Sequence, residues 1–374
     1  MTSTITHEVF YKNFKVFSID GGGKVELANP DLMPMEIYLE TDDDIESRTN
    51  NIVNFNTWCS ERIIPLDRKY AKELLAYYGY DNPLSLPMRA EIGIATRCLS
   101  INDCFWVKKA DEKLTWEDVN LFENSLENNV LEIPLLGRGF TADRKDINTP
   151  DIHTDGKAPK AWKRTGNSFF LLKRDNGNDS VTKEVEASEI LREIFGEKVV
   201  KYTKDSFAGH DVSVCKCFTD EKLNMVKAEY YAIYKMNRDE DIVSELTGEL
   251  STEFCTMVIA DYLVGNTDRH SRNWGMMYEL CEDSDEQAFS IKGLSYLYDF
   301  DHAFESEGED ICQPYILLGK RISMKDAACS AVKMLSEKIE SGQINFNIDL
   351  SKYKYGEYVR KRIDVIKKCQ GQRF

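Results

Sequence analysis

Asp261-Tyr-Leu-Val-Gly265-Asn-Thr-Asp268-Arg-His270-Ser-Arg-Asn273-Trp-Gly275, followed downstream by Leu297-Tyr-Asp299-Phe300-Asp301, is the stretch on which the reading of this chain turns. Asp268 and Asn273 stand five residues apart, and a further Asp-Phe pair follows at Asp299. Taken alone, Asn266-Thr-Asp-Arg-His is also what a polar turn after a helix would contain, because Asn, Asp and Gly populate turns. Its surroundings narrow the choice. From Thr252 to Val264 apolar residues recur at helical spacing (Phe254, Met257, Val258, Ala260, Leu263), so the loop follows a buried helix. Trp274–Tyr278 and Leu294–Tyr298 then read as two short strands, joined by the acidic, turn-rich run from Cys281 to Gln287.

Helix, loop, strand, turn, strand and a final Asp is an order with chemical meaning. Phosphoryl transfer needs an Asp that accepts the acceptor hydroxyl's proton, an Asn five positions on that holds a metal ion, and a later Asp that holds metal as well. It also needs a cation against the phosphates and an anion to fix that cation. Lys173 ends the apolar strand Phe169–Leu172, and Glu186 lies on the next helical segment, Lys183 to Phe195, with Glu184 and Glu189 as rivals for pairing with it. A strand-end Lys and a helical Glu are ordinarily solvated; their position in the chain order Lys, Glu, Asp, Asn, Asp is what makes them informative. Thr154-Asp-Gly156-Lys-Ala-Pro-Lys160 occupies the place of a phosphate-covering loop. Gly156 permits close backbone approach, Lys160 adds charge, and Pro159 removes one donor. Lys216 and Phe218, at the end of the strand Val212–Phe218, stand where adenine would be met; a plain buried strand end accounts for them equally.

Bulk properties limit the alternatives. The chain has 374 residues, 48 Lys and Arg against 64 Asp and Glu, and a formal charge of −16. Such a balance argues against nucleic-acid binding by the chain on its own, since that depends on neutralising phosphates. Basic groups do cluster locally, at Lys157–Arg164 and again from Lys352 to Lys368. No apolar run approaches the roughly 20 residues of a membrane helix. The ten cysteines are scattered without metal-ligand spacing, which is read as reduced thiols in a cytoplasmic protein. The five histidines show no such spacing either.

Residues 1–140 read as a separate α+β module: strands at Val9–Tyr11, Phe14–Ser18 and Lys24–Leu27, then helices near Ile52–Arg62 and Asp67–Tyr78. The run Gly21-Gly-Gly23 lacks phosphate-loop spacing and reads as a hairpin turn. Thr115-Trp-Glu-Asp118 reads as a helix N-terminus. The polar loop Gly137–Pro150 is taken as the boundary, followed by a small β-rich lobe at 150–218 and a helical lobe at 219–374.

Gly265-Asn266-Thr-Asp268-Arg-His270-Ser-Arg-Asn273 resembles the catalytic loop of the HipA-like serine/threonine kinases, Gly-Asn-x-Asp-x-His-x-x-Asn. Asp299 following Tyr298, and Gly156 with Lys160, also match that family's pattern. The core is similar to phosphoinositide kinases and to aminoglycoside-type phosphotransferases as well. The resemblance implies an α+β, bilobal protein-kinase-like fold preceded by the N-terminal module. It implies ATP and Mg²⁺ as cofactors and a protein Ser/Thr hydroxyl as acceptor. By resemblance Asp268 is the base, Asn273 and Asp299 bind Mg²⁺, and Lys173, fixed by Glu186, contacts the phosphates with Gly156 and Lys160. His270 props the catalytic loop, and Lys216 and Phe218 belong to the nucleotide site. The family's inhibitory phosphoserine falls at His153 here, with Thr154 adjacent, so autophosphorylation would involve Thr154. An antitoxin-like partner is implied too, although the N-terminal module does not match the family's usual one. A small-molecule or phosphoinositide-type kinase, and a non-catalytic kinase-fold interaction module, are the alternatives.

Overall fold

At the N-terminus Val9 and Tyr11 are buried in alternation and Val16 to Ile19 are buried in succession, and the chain there folds as strands. In the computed structural model the described residues are 6–80, 85–126, 131–138, 149–154, 156–175, 177–281 and 287–371. They group into two compact units. The first gathers described residues of Met1–Lys173, Thr219–Val226 and Tyr278–Ile291; the second gathers those of Arg174–Phe218, Lys227–Met277 and Lys292–Phe374. The expected acidic turn falls on residues 282–286, and most of the boundary loop on 139–148; both lie outside the described residues, as does Asp155.

In the first unit β1 (Thr6–Tyr11), β2 (Phe14–Asp20), β3 (Val25–Leu27) and β4 (Phe105–Lys109) form an antiparallel sheet in the order β3-β2-β1-β4. The glycine run is the β2–β3 turn. Gly22 and Lys24 donate their N–H groups to Asp20 Oδ1 at 2.8 and 3.0 Å, and Gly23 takes φ +82° with its Cβ position filled by the Arg48 carbonyl. Helix α1 (Ile45–Glu61) starts earlier than the apolar pattern suggests, because Asp44 caps it by accepting from Ser47 N at 2.9 Å. Helix α2 (Ala71–Tyr77) starts later, since Pro65 to Ala71 is spent on consecutive turns. After α3 (Leu86–Ala95) and α4 (Trp116–Val119), which opens with the Thr115–Asp118 capping box, comes α5 (Glu132–Leu136). Hairpin β5 (Lys160–Thr165) and β6 (Ser168–Arg174) follows.

The second unit opens with α6 (Ser180–Phe195), closed by Gly196, and the antiparallel pair β7 (Tyr202–Phe207) and β8 (His210–Lys216). Beyond β9 (Asn224–Lys227) run α7 (Ala228–Met236), α8 (Ile242–Thr247) and α9 (Ser251–Val264). Strands β10 (Gly275–Cys281) and β11 (Ala288–Leu294) join β9 in the order β11-β10-β9, and the larger part of all three strands belongs to the first unit. The strand expected at Leu294–Tyr298 thus lies earlier. Leu297 instead makes an isolated parallel bridge to Val199, which leaves Tyr298–Phe300 irregular. Helices α10 (Met324–Met334), α11 (Ser336–Glu340) and α12 (Gly356–Gly371) complete the unit, with α10 and α12 both packed on α9. The reading of all cysteines as reduced is corrected here. Eight are free, but the packing of α10 on α12 brings Cys329 and Cys369 to a Cα separation of 5.4 Å, and they are joined as a disulfide.

One face of α6 is occupied by the segment Lys352–Tyr355. Asp179, Glu186 and Glu193 recur every seven residues, two helical turns apart, and so lie in one row. Glu193 receives Lys352 Nζ at 2.5 Å and the Tyr353 hydroxyl at 2.8 Å. Glu186 receives the backbone N–H groups of Lys354 and Tyr355 at 3.1 and 3.0 Å, and Asp179 the Lys354 ammonium and the Tyr355 hydroxyl at 2.5 and 3.2 Å.

Candidate active site

Helix α9 is apolar all round from Phe254 to Val264 apart from one charge, Asp261. Gly265 ends it at φ +59°, and a Cβ there would overlap the Tyr358 hydroxyl. The chain then turns back so that Asn266, wholly buried, donates Nδ2 to Asp261 Oδ1 at 3.0 Å and accepts from Asp268 N at 3.3 Å. Arg269 follows Asp261 into the interior: Nε lies 3.0 Å from Oδ2, and Nη2 3.1 Å from Oδ1. Burial works against the guanidinium charge, but the Asp261 carboxylate outweighs it and holds Arg269 above its ordinary value. The remaining nitrogen, Nη1, donates to Asn273 O at 2.7 Å and to Tyr298 O at 2.6 Å. One buried cation therefore ties the loop carrying Asn273 to the segment carrying Asp299.

Asp268 is half-exposed, and its carboxylate is oriented by Asn273, whose Nδ2 donates to Asp268 O at 2.8 Å and to Oδ2 at 3.1 Å. With the amide nitrogen spent in this way, Asn273 has its oxygen left to offer a cation. Asp299 sits at φ +63°, a left-handed conformation that costs a non-glycine residue roughly 1–3 kcal/mol. It is held there by the Arg269 contact to Tyr298, by fully buried Phe300 beneath the Arg269 guanidinium at 5.4 Å, and by the Tyr202 hydroxyl, which accepts from Asp299 N at 3.3 Å. A carboxylate and an amide oxygen are hard donors of the kind Mg²⁺ takes, so the residues present fit that ion.

His270 is exposed. Its Nδ1 accepts from Arg272 N at 3.1 Å, which assigns the ring proton to Nε2. That nitrogen is 3.8 Å from Asp268 Oδ1, too far for a hydrogen bond, so in this geometry His270 serves the loop's backbone. His302 was not foreseen. Burial lowers its pKa, but the Glu305 carboxylate at 2.9 Å, with Asp301 and Asp268 in electrostatic reach, turns the net shift upward. Phe218 packs its ring 5.4 and 5.3 Å from Tyr296 and Tyr298, while Lys216 is an exposed strand end.

Glu186 is corrected. Its carboxylate is taken up by the N–H groups of Lys354 and Tyr355, because at its position on α6 it faces that segment. The buried acid of the helix is Glu184, whose Oε2 accepts from the Ser213 hydroxyl at 2.5 Å.

In the first unit Lys160 and Lys173 are register partners of the β5–β6 hairpin, so their side chains leave one face of the ladder; both are buried. Gly156 has φ +90°, and the Lys160 ammonium fills the place its Cβ would take. Arg68, missed in the sequence, closes this loop by donating Nη1 to Thr154 O at 3.2 Å and Nη2 to Lys160 O. Thr154 is turned inward: its hydroxyl donates to Pro150 O and accepts from Trp162 Nε1, each at 2.8 Å. Burial pushes the neighbouring Asp151 up to about 6, against its bond from Trp162 N at 2.8 Å.

The signals for the missed residues were a lone carboxylate inside an apolar helix, which must find a partner, and an Arg seven residues beyond the end of α1. Only the first is readable without coordinates.

No protein-family model matches the chain, and no curated protein matches it. Among solved structures, a chain of the Shewanella oneidensis MR-1 toxin–antitoxin complex of HipA, HipB and operator DNA matches with a TM-score of 0.53 at 12% identity, covering 98% of this chain and 100% of that one. The Helicobacter pylori proinflammatory kinase CtkA matches over 57% of this chain and 88% of its own, at 17% identity and a TM-score of 0.38.

Proposed function

We propose that this chain, which has the α+β, HipA-like kinase fold, transfers the γ-phosphoryl group of ATP to a Ser or Thr hydroxyl of a protein. The observation that supports the reading is the buried Arg269 tie, which joins the loop carrying Asp268 and Asn273 to the segment carrying Asp299. In this reading Asp268 orients the acceptor hydroxyl and takes its proton as the oxygen–phosphorus bond forms and ADP leaves. Asn273 and Asp299 hold Mg²⁺, which when bound neutralises phosphate charge. Lys160 and Lys173 bring positive charge to the phosphates, and Gly156 lets the backbone approach them. The acid of α6 assigned to this machinery is Glu184 in place of Glu186. Phe218, with Tyr296 and Tyr298, offers an aromatic surface to the adenine.

Thr154 would become an acceptor only after the Pro150–Thr154 turn opens and its two hydrogen bonds break. The matched HipA is described with HipB and operator DNA; for this chain we carry over a protein partner of antitoxin type, and the charge of −16 speaks against DNA contact by the chain alone. Among the described residues no helix is long and apolar enough to cross a membrane.

Incubation with Mg²⁺ and γ-labelled ATP, beside Asp268→Ala and Asp299→Ala, tests the reading. Label should reach Ser or Thr residues with the unaltered chain only. Asp268→Ala should keep Mg-ATP binding, and Asp299→Ala should lose it. Undiminished turnover in Asp268→Ala refutes the assignment.

A further inference from the structure

A cavity of about 270 Å³ in the second unit takes no part in the machinery above. Its apolar wall comes from Phe195 at the end of α6, from Leu294 and Leu297, and from Ile344 after α11. Three charged side chains reach it, and two of them cancel. Glu253 receives Lys198 Nζ on Oε1 and Leu294 N on Oε2, each at 2.5 Å, so its carboxylate is committed. Lys338 is different. Its ammonium has no hydrogen-bond or ion-pair partner among the described residues, and it lines the same cavity.

Thr252, Thr256, Ser295 and Gln343 line the rest of the cavity, and a chamber with one apolar wall and one uncommitted cation selects for an apolar body with one anionic group. We propose that this cavity binds a small apolar carboxylate, an aryl or medium-chain acid, with its carboxylate on Lys338 and its body against Phe195, Leu297 and Ile344. The volume lies just below the roughly 300–1,000 Å³ of ordinary ligand pockets, so the occupant is compact. Leu297 donates its N–H to Lys198 O at 2.8 Å and accepts from Val200 N at 2.9 Å, and it stands two residues before Asp299. An occupant therefore touches the backbone leading into Asp299 and the end of the helix that carries Glu184. Binding at Lys338 does not depend on the phosphoryl-transfer reading, and its test reads binding alone.

Calorimetric titration of the full chain with 4-phenylbutyrate, and with the neutral 4-phenylbutan-1-ol, supplies that test. The acid should bind saturably at one site and roughly tenfold more tightly than the alcohol, as a charge-assisted contact requires. Lys338→Met should bring the acid down to the alcohol's affinity, and Lys338→Arg should retain the difference. Thr256→Trp, which fills the cavity, should remove both. The proposal is overturned if the unaltered chain shows no saturable binding, if acid and alcohol bind alike, or if Lys338→Met binds the acid undiminished.

Discussion

Replacing Arg269 by Met removes the cation of a pair whose side chains are 2% and 5% exposed, leaving Asp261 charged and buried beside Asn266 alone. Breaking a buried pair from one side costs roughly 3–5 kcal/mol. The freed carbonyls of Asn273 and Tyr298 add roughly 1–3 kcal/mol each unless water reaches them. Against a total stability of roughly 5–15 kcal/mol for a domain, the variant should unfold at a much lower urea midpoint. Adding Asp261→Asn removes the stranded charge, so the double variant should regain more than half of the loss. What it cannot regain is the tie between the two segments, and phosphoryl transfer should remain as low as in the single variant. Equilibrium urea unfolding of the two singles and the double forms a closed cycle that gives the coupling. A single-variant cost under about 1 kcal/mol, or a double-variant cost equal to the sum of the singles, would refute a buried, charged pair at the centre of the site.

Gly265→Ala places a Cβ on the Tyr358 hydroxyl at a left-handed position; the backbone term alone is roughly 1–2 kcal/mol, so the melting temperature should fall by at least roughly 2–4 °C, and an unchanged melt would refute the close approach. Asp151 has a raised pKa, so its stabilising share is complete below the ordinary carboxylate range and is lost as pH rises through about 6. Asp151→Asn should therefore gain on the unaltered chain between pH 5 and pH 8 in urea unfolding, and a constant gap would count against that burial. Asp179 and Glu193 shift the other way. Lys354 lowers Asp179, and for Glu193 the bonds from Lys352 and Tyr353 outweigh burial. Their contribution is present above the ordinary carboxylate range and fades as pH falls through their lowered values. Glu193→Gln should flatten the acid limb of the stability profile, and an identical limb would remove Glu193 from the contacts of Lys352–Tyr355, the strap laid along α6.

The residues that were legible in the sequence are those whose role is set by neighbours in the chain. The strands β1 to β3, the apolar helix α9 and the stop of α6 at Gly196 follow from local spacing and turn chemistry. The placing of Asp268 and Asn273 together on the loop after α9 was legible for the same reason. Glu184 and Glu186 differ by two positions on one helix, and only the packing of Lys352–Tyr355 decides which of them turns inward. Arg68 reaches a loop 86 residues away, and the Cys329–Cys369 bond needs α10 against α12. The strand at Leu294–Tyr298 was misplaced because apolar alternation continues past Leu294, while the chain leaves the sheet to bridge Val199.

The row of acids on α6 also bears on the order of synthesis. Asp179, Glu186 and Glu193 emerge from the ribosome long before the residues that satisfy them: Lys354 and Tyr355 come 168 and 169 positions after Glu186. At roughly 5–20 residues per second that interval is about 8–34 s. Throughout it the helix carrying Glu184 has no strap to settle against, and three carboxylates stand along one of its faces. A chain still being made would hold α6 loosely, and its final seating belongs to the last stage of folding.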